Sequence, residues 1–149
     1  MQKEILRKAA SFCAYQERTQ REVRQRLKEW NVVGDEAEEI IVRLIEENFI
    51  NEERFAKIFA GSKFRVKQWG KIRIEQELKL RGLSAYNIKK GLAEIDNNDY
   101  RTALKKLLDK KSRELKADTS YVRKQKLARF AIGRGFESDL VWEIISEEE

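Results

Sequence analysis

Two clusters of cationic side chains dominate the chemistry open to this chain. Arg65, Lys67, Lys71, Arg73, Lys79 and Arg81 form one; Arg123, Lys124, Lys126, Arg129 and Arg134 form the other. Lysine and arginine neutralise phosphates and release counterions condensed on a nucleic acid, so binding should fall steeply with salt. Trp69 stands just before Lys71, where an indole could stack on a base or on a partner's side chain. It could equally pack at the turn. Residues 63–134 hold 21 basic and 8 acidic side chains, a net of +13, against −1 for residues 1–62 and −6 for residues 135–149. Some of these cations will pair with Glu at i±4 on ordinary solvated faces, but eight acids cannot balance twenty-one bases. A field of that size attracts polyanions. Lys105, Lys106, Lys110 and Lys111 either thicken it or are simply solvated.

Catalysis has little to work with. The chain has no histidine, no glycine-rich phosphate loop and no nucleophile with a base beside it. Asp35, Glu36, Glu38, Glu39, Glu46, Glu47, Glu52 and Glu53 could touch a basic protein surface, though helix capping and solubility account for them equally well. They lack a second ligand type, so no metal or other cofactor is expected and no enzyme activity with it. A carboxylate–metal nuclease would demand Mg²⁺-dependent cleavage. Cys13, the only cysteine, falls in the stripe Ile5, Leu6, Ala9, Phe12 and reads as a small core residue. A lone cysteine fits a reducing cytoplasm. No apolar run is long enough for a bilayer and no signal-like segment opens the chain, so a cytoplasmic protein without membrane contact is expected.

The elements that carry these residues are helical. Charged residues make up 39% of the chain and proline is absent, which favours helices over sheet. Gly70–Leu92 and Arg123–Ile145 overlay without a gap. Ile74 falls on Leu127, Leu78 on Ala131, Arg81-Gly82-Leu83 on Arg134-Gly135-Phe136, and Ile88 on Val141. Thr19–Ile45 is a looser copy with Asn31 at the turn glycine. The fold class is therefore all-α, with three tandem three-helix, helix-turn-helix-like repeats over 1–50, 51–97 and 98–149 in an elongated, curved body. Thr19–Glu22 reads as a capping box, Asn51 and Ser84 as caps, and Asn31, Gly34 and Gly82 as left-handed breaks. Phe55, Ile58 and Phe59 are the expected inward stripe of the fourth helix. Asp96–Asp99 is expected to be a linker and 111–120 a frayed end or loop. Trp30 and Trp142 read as packing residues. Units this small are marginal alone, so neighbours should share packing.

The run Phe49-Ile50-Asn51-Glu52-Glu53-Arg54-Phe55-Ala56, with Gly70-Lys71-Ile72-Arg73-Ile74 and Glu77-Leu78-Lys79-Leu80-Arg81-Gly82, resembles the RecX family of RecA recombinase regulators. Tyr15, Arg18-Thr19, Glu22-Val23 and Arg26-Leu27 support the resemblance in the first repeat, and it covers essentially the whole chain. Asn31 and Asn48 stand where that family commonly has glycine, and asparagine tolerates the same angles. The resemblance implies a protein that lies in the groove of a RecA–DNA filament, spans neighbouring protomers and limits ATP hydrolysis, filament growth and strand exchange. Its partners would be RecA, the filament, and single- or double-stranded DNA held weakly and without sequence preference. The rival is a stand-alone helix-turn-helix DNA-binding protein. Such proteins usually dimerise through a dedicated element; none is found, and a monomer is expected.

Overall fold

The computed structural model describes residues 2–115 and 119–147, and every regular element among them is an α-helix. In chain order these are α1 (Gln2–Tyr15), α2 (Gln20–Glu29), α3 (Gly34–Glu46), α4 (Glu52–Arg65), α5 (Lys71–Leu80), α6 (Ala85–Leu92), α7 (Asn97–Glu114), α8 (Ser120–Gly133) and α9 (Ser138–Glu147). They form three successive three-helix units. A compact monomer of 17.7 kDa exposes roughly 8,000 Å² by the usual scaling. This chain exposes 9606 Å², the excess expected of an elongated body.

Local chemistry sets the helix ends. Thr19 and Glu22 exchange hydrogen bonds of 3.1 Å in a complete capping box at α2. Asn51 and Ser84 accept from the third amides of α4 and α6. The turns between second and third helices are left-handed at Asn31 (φ 63°), Gly82 (φ 84°) and Gly135 (φ 100°). That shared angle is the backbone reason for the sequence repeat.

Three expectations are corrected. Ile58 is 52% exposed; α4 instead turns Phe55, Ala56, Ala60 and Phe64 inward. Its close crossing with α6, where Gly91 lies on Ala56, selects small residues. Asp96–Asp99 is a helix start rather than a linker, since the Asp96 carboxylate caps α7 at the Asp99 amide, 3.0 Å away. The helix then runs to Glu114, beyond the expected fraying point. Residues 116–118 of that expected loop lie outside the described residues.

The expected sharing of packing holds at one junction only. The buried side chains of α1–α3 form a core of their own around Val23, Leu27, Ile40, Ile41 and Leu44, with Cys13 inside it. Those of α4–α9 form a single second core, from Phe55 through Ile74, Leu78, Tyr100 and Leu104 to Phe136 and Ile144. Polar contacts join the two bodies. Arg54 meets Glu17 at 2.9 Å, Glu52 accepts from the Gln20 amide at 3.0 Å, and Arg21 donates to the Leu80 carbonyl at 2.6 Å.

Candidate polyanion-binding surface

Both basic clusters centre on the middle helices α5 and α8, and the backbone fixes those helices end to end. The Gly70 and Ile72 amides at the start of α5 donate to the Arg134 and Gly135 carbonyls just past α8, at 2.9 and 3.0 Å. The Lys71 amide donates to the Tyr100 hydroxyl at 2.9 Å, and that hydroxyl donates in turn to Glu137. α5 has no side-chain cap and no acid in its first turn. The carbonyl end of one helix neutralises the amide end of the other. A Cβ on Gly70 would run into the backbone of Gly135, and one on Gly135 into Arg73. Burial and the bond to Glu137 push the Tyr100 phenol well above its ordinary range, so it stays a neutral donor.

An alternating strip of cations and rings lies along α4 and α5. The Arg81 guanidinium sits 4.6 Å from the centre of the Phe59 ring, and the Lys63 ammonium 5.4 Å from Phe59 and 5.2 Å from Trp69. Arg73 covers Trp69 at 4.1 Å. Phe59 and Trp69 meet edge to face at 6.3 Å. Cation–ring contacts hold guanidinium and ammonium groups in place without neutralising them, so the strip stays positive. Trp69 is half-buried and packs at the turn, the plainer of its two expected roles. Lys63 and Phe59 were not among the sequence candidates; their i, i+4 spacing on one helix was the available signal.

The other candidates divide by what they touch. Lys79 pairs with Glu75 at 3.5 Å and Arg81 with Glu77 at 3.0 Å. Lys71 reaches Asn97 at 3.3 Å and lies over Tyr100. Arg134 donates to the Gln68 carbonyl at 3.1 Å and to the Lys67 carbonyl, so it secures the α4–α5 turn. Arg123 donates to Ser112 at 2.9 and 2.7 Å, placing a cation at the carbonyl end of α7. Lys124 and Lys126 flank it on α8, Lys126 the more exposed, and both have interactions of their own. Arg65, Lys67 and Arg129 are exposed. The surface is thus a scaffold of bound cations with exposed ones beside it.

Two third helices oppose a groove-reading role. α3 carries Asp35, Glu36, Glu38, Glu39 and Glu46, and α9 carries Asp139, Glu143 and Glu147. Like charge repels both from phosphate. Among the described residues no helix is long and apolar enough to cross a membrane, and no cluster of metal-ligand type is formed.

Comparison with known proteins gives a consistent picture. Residues 6–44, 51–92 and 99–145 match the family models for the first, second and third three-helix domains of RecX. The regulatory protein RecX of Oceanobacillus iheyensis is 27% identical over 98% of this chain and 55% of its own length. That of Bacillus cytotoxicus is 30% identical over 89% of this chain and 49% of its own. The chain spans about half the length of these curated relatives. The crystal structure of RecX from Lactobacillus salivarius superposes with a TM-score of 0.91 at 22% identity, covering 98% of this chain and 95% of that one. A second RecX crystal structure gives 0.86 at 23% identity, covering 98% and 73%.

Proposed function

The chain belongs to the RecX family, and on that premise we propose that it regulates, mainly by inhibition, a RecA recombinase. It would act as a cytoplasmic monomer whose repeats, 1–50, 51–97 and 98–149, lie along the groove of a RecA–DNA filament. The observation that carries this reading is the locking of basic α5 and α8 into one body across Gly70 and Gly135. A rigid element that bridges neighbouring protomers opposes their movement during ATP turnover and strand exchange. The exposed cations Arg65, Lys67 and Arg129 would face filament-bound DNA or acidic RecA surfaces, giving weak affinity for free DNA without sequence choice. The acidic α3 and α9 weigh against a stand-alone helix-turn-helix DNA binder that uses the first or third unit, whereas α6, with Lys89 and Lys90 and no acid, leaves the second unit to the experiment.

The deciding experiment titrates this protein into ATP hydrolysis by the same organism's RecA on single-stranded DNA. Inhibition is expected at far fewer molecules than RecA protomers. Inhibition only at amounts that saturate the DNA would reduce the activity to competition for the strand. No effect, with selection of one duplex sequence, would establish the rival.

A further inference from the structure

A cavity of about 250 Å³ opens between the end of α4 and α7, separate from the cation–ring strip. Phe64, Leu107 and Phe136 form its floor, and all three are buried. Arg65 and Lys106 stand at its edge, both exposed and neither in a salt bridge with a carboxylate among the described residues. Arg65 is folded back along its helix against Gly61. Gln68 completes the lining from a left-handed backbone at φ 57°, a conformation disfavoured for a residue with a Cβ. Arg134 holds it there through the Gln68 and Lys67 carbonyls. The same angle closes the end of α4, where the Trp69 amide donates to the Lys63 carbonyl at 3.1 Å, so Gln68 is fixed in place at the lip of the cavity.

We propose that this cavity docks an acidic polypeptide segment, taking one apolar side chain on its floor while flanking carboxylates meet Arg65 and Lys106. Charge complementarity favours that occupant, since the lining holds two cations, Arg65 and Lys106, and no acid. The apolar floor excludes a purely ionic ligand. A nucleobase fits less well: the floor rings of Phe64 and Phe136 are buried and packed against Tyr100, so they offer too little ring face for a base to stack on. Gln68 supplies an amide that donates to one carboxylate or accepts from the segment's backbone. The cavity shares Arg65 with the proposed regulatory surface but draws its floor, Gln68 and Lys106 from outside it, and its test contains no recombinase.

The probe is the fluorescein-labelled peptide Glu-Asp-Glu-Phe-Glu-Asp, titrated into the ¹⁵N-labelled full chain. Binding should shift the Gln68 side-chain amide and the Ala103 and Lys106 backbone signals. Replacing the peptide's Phe by Ala, or Lys106→Glu in the protein, should weaken it at least tenfold. Lys89→Glu, a charge reversal on α6, should change it less than twofold. Equal binding of the Phe and Ala peptides, equal effects of the two charge reversals, or no shift at Gln68 would overturn the proposal. So would a twelve-residue oligothymidylate that moves these signals when the peptide does not.

Discussion

The α5–α8 junction makes a graded prediction for alanine at three glycines. Gly135 has φ 100°, and an added Cβ would lie 2.8 Å from the Arg73 amide nitrogen and closer still to its Cβ. The left-handed angle alone costs an alanine about 1–2 kcal/mol. Relieving the clash must open the junction and weaken the bonds from Gly70 and Ile72, at about 0.5–1.5 kcal/mol each. Gly135→Ala should therefore destabilise by roughly 2–5 kcal/mol. Gly82 has the equivalent turn at φ 84°, but there the nearest atoms to the Cβ are the guanidinium end of the Arg21 side chain, whose bond to Leu80 is the most that is lost, so Gly82→Ala should cost about 1–3 kcal/mol. Gly133 is the last residue of α8 with nothing within 4 Å, and its alanine variant should gain up to roughly 0.5 kcal/mol. Urea unfolding of the three variants at constant m-value measures the series. Equal losses at Gly82 and Gly135 would refute the claim that α5 and α8 are backbone-locked.

Charge reversal at Lys71, Arg73 and Arg81 together should weaken the proposed action on RecA while leaving the circular dichroism spectrum unchanged. If all three contact phosphate, the log–log salt slope for single-stranded DNA should become shallower by about 2, and an unchanged slope would remove them from the surface. Arg21→Ala loses an exposed bond to the Leu80 carbonyl, so global stability should fall by no more than about 1 kcal/mol. Hydrogen exchange should nevertheless accelerate at the Gln20 and Leu80 ends of that junction, and uniform protection would argue against a polar hinge. Burial pushes the Cys13 thiol up to about 11, so at pH 8 it should react with a thiol reagent far more slowly than in urea. A raised folded pKa stabilises below the unfolded value of about 9 and is lost as pH climbs towards 11. Stability should decline across that window in the native chain and less so in Cys13→Ala.

The sequence was most legible where local chemistry decides. A capping box needs only Thr19 and Glu22, and a left-handed turn only Gly82, Gly135 or Asn31, so helix ends could be read within a residue or two. Ile58 misled because apolar periodicity cannot see that α4 crosses α6 on Ala56 and Gly91, a contact built from small residues. Asp96–Asp99 misled because the same residues cap helices and form loops. The extension of α7 to Glu114 depends on a partner: Arg123 binds its end at Ser112, and Lys111 lies 4.9 Å from the Phe130 ring. The candidate surface was legible as a charge excess but not as geometry. Nothing local distinguishes Arg134, spent on the carbonyls of Lys67 and Gln68, from Arg129, which lies exposed.

The two junctions differ in kind, and that difference bears on how the chain could act. Between the first unit and the rest, the polar contacts include Arg54 with Glu17, Glu52 with the Gln20 amide, and Arg21 with Leu80. Exposed and half-exposed charge pairs of this sort contribute little and weaken with salt. Between the second and third units, an apolar core, paired backbone groups and two interlocked glycines leave no comparable freedom. Most of the surplus positive charge sits on the stiff part, whereas the near-neutral first unit sits beyond the polar joint. A body built this way can first engage a polyanion through its rigid two-thirds and then settle the remaining unit separately. If the proposed polyanion contacts hold, the first unit would adjust reach while the energy of binding would reside in α4–α9.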